Sequence, residues 1–102
     1  MITVTHILKS NKHVGKEYTD INDWITDHGT TETDSLFVES GDLELITPTE
    51  VKRTLSYLSE AARVDHRAHV ASRRASATTS PTWGHDSTYT KLEKISEVIT
   101  TD

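Results

Sequence analysis

Asp65, His66 and His69 put a carboxylate and an imidazole four residues apart with a second imidazole beside them, spacing at which one helical face offers ligands to zinc or nickel. A structural site needs four ligands. The chain has no cysteine, so only His85 or Asp86 could complete the set, and neither a metal nor a cofactor is expected. His85 and Asp86 with Ser80 or Ser87 supply the residue types of a catalytic triad, but no serine sits in a nucleophile elbow. Paired carboxylates for glycoside chemistry would need an enclosing pocket, for which 102 residues leave little core. Arg73-Arg74-Ala75-Ser76 has the form of a basophilic kinase target, a short match that chance also produces. No catalytic residue is assigned, and the expectation is a protein that works by contact.

The strongest signal for contact is charge. Residues 17–51 contain ten Asp or Glu and no Lys or Arg, and the segments 1–16, 17–51, 52–75 and 76–102 carry +3, −10, +4 and −2. Such segregation favours steering and partner choice over any particular reaction. Asp20, Asp23, Asp27, Glu32, Asp34, Glu39, Asp42 and Glu44 form the candidate acidic face, spaced as a mimic of nucleic-acid phosphates would need. The alternative is an ordinary solvated acidic surface or one that docks on the chain's own cations. A calcium loop is excluded by spacing. Opposite the acids stand Lys52, Arg63, Arg67 and Arg74. They are spread too far along the chain for a duplex-binding element, and no nucleic-acid-binding motif accompanies them, so direct nucleic-acid binding is not expected.

These residues must be carried by a small number of elements. Ile2, Val4 and Leu8 alternate with Thr3, Thr5 and Lys9, the pattern of a half-buried strand over residues 2–9. Thr19 as cap, acids in the first turn, the apolar face Ile21, Trp24, Ile25 and a closing Gly29 predict a short acidic helix over 20–28. Residues 36–40 and 43–46 flank Gly41-Asp42, a hairpin signal. Thr47-Pro48-Thr49-Glu50 reads as a capping box, and no Gly or Pro follows until past Ala75, so one long helix over 48–75 is predicted. At about 42 Å it would project from a body of about 33 Å. Its apolar positions change face, from Val51, Leu55, Leu58 and Ala62 to Val64, Ala68, Ala71 and Ala75, the second set offering a close-packing seam. Residues 76–90 are a Ser/Thr-rich segment that Trp83 would anchor in a groove, and Leu92, Ile95, Val98 and Ile99 recur as in a short amphipathic helix.

The expected fold class is therefore α+β: a small antiparallel sheet from the N-terminal strand and the hairpin, a short acidic helix, one long helix and a C-terminal short helix. Residues 1–75 form the domain and 76–102 an ordered tail. With no signal peptide and no apolar run, a soluble cytoplasmic location is expected. The first functional expectation is a non-catalytic inhibitor or regulator, of the kind found among mobile-element or viral accessory proteins, whose acidic face docks on a basic, nucleic-acid-handling protein. The second is a structural or assembly subunit forming homo- or hetero-oligomers through Arg63, Arg67, Ala68, Ala71, Arg74 and Trp83.

Overall fold

The computed structural model describes residues 1–28, 37–79 and 91–101. In chain order these form β1 (Ile2–Ser10), α1 (Ile21–His28), β2 (Ser40–Thr47), β3 (Glu50–Tyr57), α2 (Glu60–Thr79) and β4 (Leu92–Thr101). The four strands make one sheet in the order β2-β3-β1-β4, every neighbouring pair antiparallel. This is an α+β fold in which each helix joins two strands separated by a third.

Both helices cover one face of the sheet. Around α2, Ile2, Val4, Val38, Leu55 and Tyr57 pack with Phe37 and Ala62; around α1, Leu8, Tyr18, Trp24 and Val51 pack with Ile21, Ile25, Leu43, Leu45 and Leu92. The opposite face carries no helix among the described residues, and its side chains explain why. Register aligns Ser40, Ser56, Thr3 and Thr100 in one row across all four strands, with Asp42, Thr54, Thr5 and Val98 in the next. Hydroxyls of this kind are satisfied by water and gain little from being covered. None of the aromatic residues described lies on that face, so the described residues offer no platform there on which bases could stack.

Three elements differ from the sequence reading. Gly41-Asp42 is not a turn but lies inside β2, and the hairpin closes at Pro48-Thr49. Thr47 does make cap-like contacts: its Oγ1 donates to Glu50 Oε1 at 3.2 Å and accepts the Thr49 N–H at 3.3 Å. They close a hairpin instead of starting a helix, with Pro48 preset for the turn. The predicted helix over 48–75 accordingly splits into β3 and α2. Val51 and Leu55 are four apart, a spacing that suits a helix face and a strand face equally, and the residue between them that would betray alternation is a buried Arg53. The true helix start is Ser59, whose hydroxyl accepts the Ala62 N–H at 3.2 Å. At 20 residues α2 spans about 30 Å, against about 42 Å for a single helix over 48–75.

The third correction is the C-terminal helix, which is the edge strand β4. A bulge at Ile95, where Ile7 faces Ser96 but Leu8 faces Lys94, inserts one residue and shifts parity. Leu92 and Ile99 thereby fall on the same face although seven apart, which imitates helical spacing. At α1 the cap is Asp20, not Thr19: Asp20 Oδ1 accepts the Asn22 N–H at 2.9 Å. Before it, Gly15 at φ 82° turns the chain so that the Lys16 N–H reaches the His13 carbonyl at 3.1 Å.

Candidate functional site: a cationic cleft above a buried arginine

Between the two apolar clusters the strands place a polar layer. Val4, His6 and Leu8 on β1 face Leu55, Arg53 and Val51 on β3, so His6 and Arg53 are direct cross-strand partners on the covered face. Arg53 is 1% exposed and His6 4%. One Arg53 Nη2 hydrogen bond runs to His6 Nδ1 at 2.9 Å. A guanidinium only donates, so Nδ1 must accept and the neutral imidazole carries its proton on Nε2. That nitrogen stands 3.5 Å from Glu97 Oε1, and the same oxygen accepts a charge-assisted bond from Arg67 Nη2. A row of polar groups thus runs from the core of the sheet through β1 and β4 to the surface of α2, with His6 Nε2 close to Glu97 but not hydrogen-bonded to it.

Where it surfaces, α2 and β4 enclose a cleft of about 100 Å³. Arg63, Arg67 and Arg74 enter from α2, at spacings of four and seven that keep them on one side of the helix, and Lys94 enters from β4. His6, His66 and Val70 form its floor, and Glu97 is the one carboxylate among the described residues of its lining. Burial pushes the Glu97 carboxyl up, but Lys94, Arg67 and His6 together outweigh it and hold the group below the usual carboxylate range. Arg63 is held by Glu60, whose carboxylate takes its Nε and Nη2; this bond lowers Glu60 and raises Arg63. Arg63 Nη1 is buried and has no hydrogen-bond acceptor among the described residues. His66 is buried against Phe37, its Nδ1 2.6 Å from the Tyr57 hydroxyl.

Of the residues singled out from sequence, Arg63, Arg67, Ala71 and Arg74 do converge here. Ala68 is exposed on α2 outside the cleft lining, and Trp83 lies outside the described residues, as do Glu32 and Asp34. Lys52 belongs to β3, not to the helix, and pairs with Glu44 at 3.1 Å on the open face. Of the remaining described acids, Asp42 and Glu44 are on the open face, Asp23 and Asp27 belong to α1 on the other side with Asp20 capping it, and Glu39 is exposed just before β2. Asp27 is occupied internally, its Oδ2 accepting from Lys16 Nζ at 2.6 Å and Tyr18 OH at 2.7 Å. These bonds, Lys16 first, bring its pKa down to about 2 despite some burial. Sequence reasoning missed His6, Arg53, Lys94 and Glu97. The signal available for Arg53 was its place in the alternation Val51, Arg53, Leu55, Tyr57.

A second constellation, Ser10 and His28, has the outline of a nucleophile and its base. Ser10 Oγ lies 2.7 Å from His28 Nε2, and His28 Nδ1 lies 3.0 Å from the Trp24 carbonyl, which only accepts. Nδ1 therefore donates and Nε2 accepts the serine proton. Ser10 Oγ also accepts the His13 N–H at 2.7 Å, and His28 is fully buried beneath Trp24, ring centroids 4.2 Å apart. Every position of the pair is thus used to fasten α1 to the end of β1. Burial lowers the His28 pKa, partly offset by the bond to Trp24.

No protein-family model, no curated protein and no solved structure matches this chain. Within the described residues, His66 of the Asp65-His66-His69 set is turned inward to Tyr57, and no three His, Asp or Glu side chains are grouped to hold a metal ion. No described helix is long and apolar enough to cross a membrane.

Proposed function

We propose that this is a non-catalytic interaction protein that receives an anionic side chain of a partner protein in the cleft between α2 and β4. The observation that carries the proposal is the convergence of Arg63, Arg67, Arg74 and Lys94 from two separate elements on one concavity, where Glu97 is the single carboxylate among the described residues of the lining and Glu60, outside it, pairs with Arg63. Cations gathered without an equal number of acids raise the local potential and select anionic partners. A protein partner fits better than nucleic acid. The cleft is one concavity and not a track along a backbone, and the exposed apolar Ile99, paired with the cleft residue Val4, gives it a hydrophobic shoulder. Of the two expectations from sequence, the one built on Arg63, Arg67 and Arg74 is favoured, because the acids of the other are divided between opposite faces of the sheet.

The test is binding to an array of acidic peptides, phosphorylated ones included, at low ionic strength. Arg67→Gln with Arg74→Gln should abolish binding, whereas Lys9→Glu with Lys12→Glu, remote from the cleft, should leave it. Binding that survives the α2 pair, or no binding to any peptide, refutes the proposal.

A further inference from the structure

We infer that the anion taken by this cleft is a phosphoryl group on a side chain of the partner, and that Glu97 is an internal stand-in which the phosphoryl group displaces from Arg67. This rests on the function proposed above and narrows its ligand class.

The cleft, about 100 Å³, admits a tetrahedral oxyanion. Donors are arranged to match. Arg67 and Lys94 flank Glu97, while Arg74 lies further along the same side of α2. The His6 Nε2 proton, fixed in place because Arg53 occupies Nδ1, faces the same carboxylate oxygen from below at 3.5 Å. Arg63 Nη1 adds a buried donor with no acceptor, although the other nitrogens of that fork reach Glu60. A stranded donor of this kind is unfavourable until an acceptor arrives.

Glu97 decides between carboxylate and phosphoryl. An incoming carboxylate would exchange with Glu97 like for like, gaining neither charge nor acceptor oxygens. A phosphoryl group brings close to two negative charges and three acceptor oxygens, which arginine forks bind well. It can engage Arg67 and Lys94 together. Negative charge already in the cleft therefore weakens every anion, and it weakens a carboxylate to the point of no net gain.

Calorimetry on the full chain tests this with four probes: O-phospho-L-serine, inorganic phosphate, L-glutamate, and a phosphoserine peptide paired with its glutamate counterpart. The expected order is phosphoserine peptide tightest, phosphoserine and phosphate weaker, and glutamate undetectable. Glu97→Gln should tighten phosphoserine binding about tenfold, the scale of one screened charge interaction near a protein surface. Arg67→Gln should abolish it, with circular dichroism showing both variants folded. The inference is overturned if Glu97→Gln leaves affinity unchanged, if glutamate binds as tightly as phosphoserine, or if inorganic phosphate binds while the phosphopeptide does not. Should the glutamate peptide bind in an Arg67-dependent way with no phosphoryl preference, the cleft would still be an interaction site and only its ligand class would be wrong.

Discussion

Replacing His6 by Phe and Arg53 by Met, singly and together, tests whether the polar layer between the two apolar clusters is a coupled unit. Arg53 is 1% exposed and its guanidinium is bonded to His6 at 2.9 Å. His6→Phe removes an acceptor from a buried charge; a hydrogen bond to a charged group is worth about 1.5–3 kcal/mol, so a loss near the upper end is expected. Arg53→Met leaves the His6 acceptor stranded but releases the guanidinium from its desolvation, so a smaller loss of about 1–2 kcal/mol is expected. In the double variant neither group is stranded, and Phe and Met join Val4, Leu55, Leu8 and Val51 into one continuous core. Its stability should return to within about 1 kcal/mol of the wild type, giving a coupling energy of at least about 2 kcal/mol. Urea unfolding followed by far-ultraviolet circular dichroism measures all four corners of the cycle. Losses that add to within about 0.5 kcal/mol would refute the reasoning, because independent sites add in that way.

Three further outcomes follow from the same geometry. His28, whose folded pKa is depressed by burial, binds its proton more readily in the unfolded chain; stability should therefore fall as pH drops below about 6.5. Thermal melts between pH 7.5 and 5 should show this slope reduced in His28→Gln, and an unchanged slope counts against a neutral buried His28. Asp27 is depressed too, so its contribution is complete above its ordinary pKa of 3.8 and is lost as pH falls through about 2. Asp27→Asn should remove that acid-limb component and let the Tyr18 phenol, raised by burial and by its bond to Asp27, titrate at lower pH, read by ultraviolet absorbance. Finally, Thr3→Cys with Thr100→Cys should form a disulfide on mild oxidation, because these residues are cross-strand partners and the native chain has no cysteine. Thiols that stay free would contradict β4 as a strand on β1.

What the sequence revealed and what it hid follow from how each element is built. β1 was legible because Ile2, Val4 and Leu8 alternate with Thr3, Thr5 and Lys9 despite the inversion at His6-Ile7, and α1 because Ile21, Trp24 and Ile25 repeat at helical spacing. β3 was hidden by the residue that matters most to the site: a charged Arg53 at an interior position inverts the hydrophobic pattern. β4 was hidden by the bulge at Ile95, which converts a period of two into an apparent period of three and four. The cationic half of the site was visible on α2 from the spacing of Arg63, Arg67 and Arg74. Lys94, Glu97 and His6 could join it only through strand register, a long-range property that local pattern does not encode.

The most direct test of the proposed site is an amide NMR titration of the full chain with a phosphoserine peptide, because it reports where a ligand sits without altering any residue. The expected result is a set of saturable shifts confined to residues 63–74 of α2, residues 94–99 of β4 and His6 on β1. Shifts centred on α1 and β2, at Asp20, Asp23, Asp42 and Glu44, would contradict it and return the acidic surfaces to the centre of this protein's function.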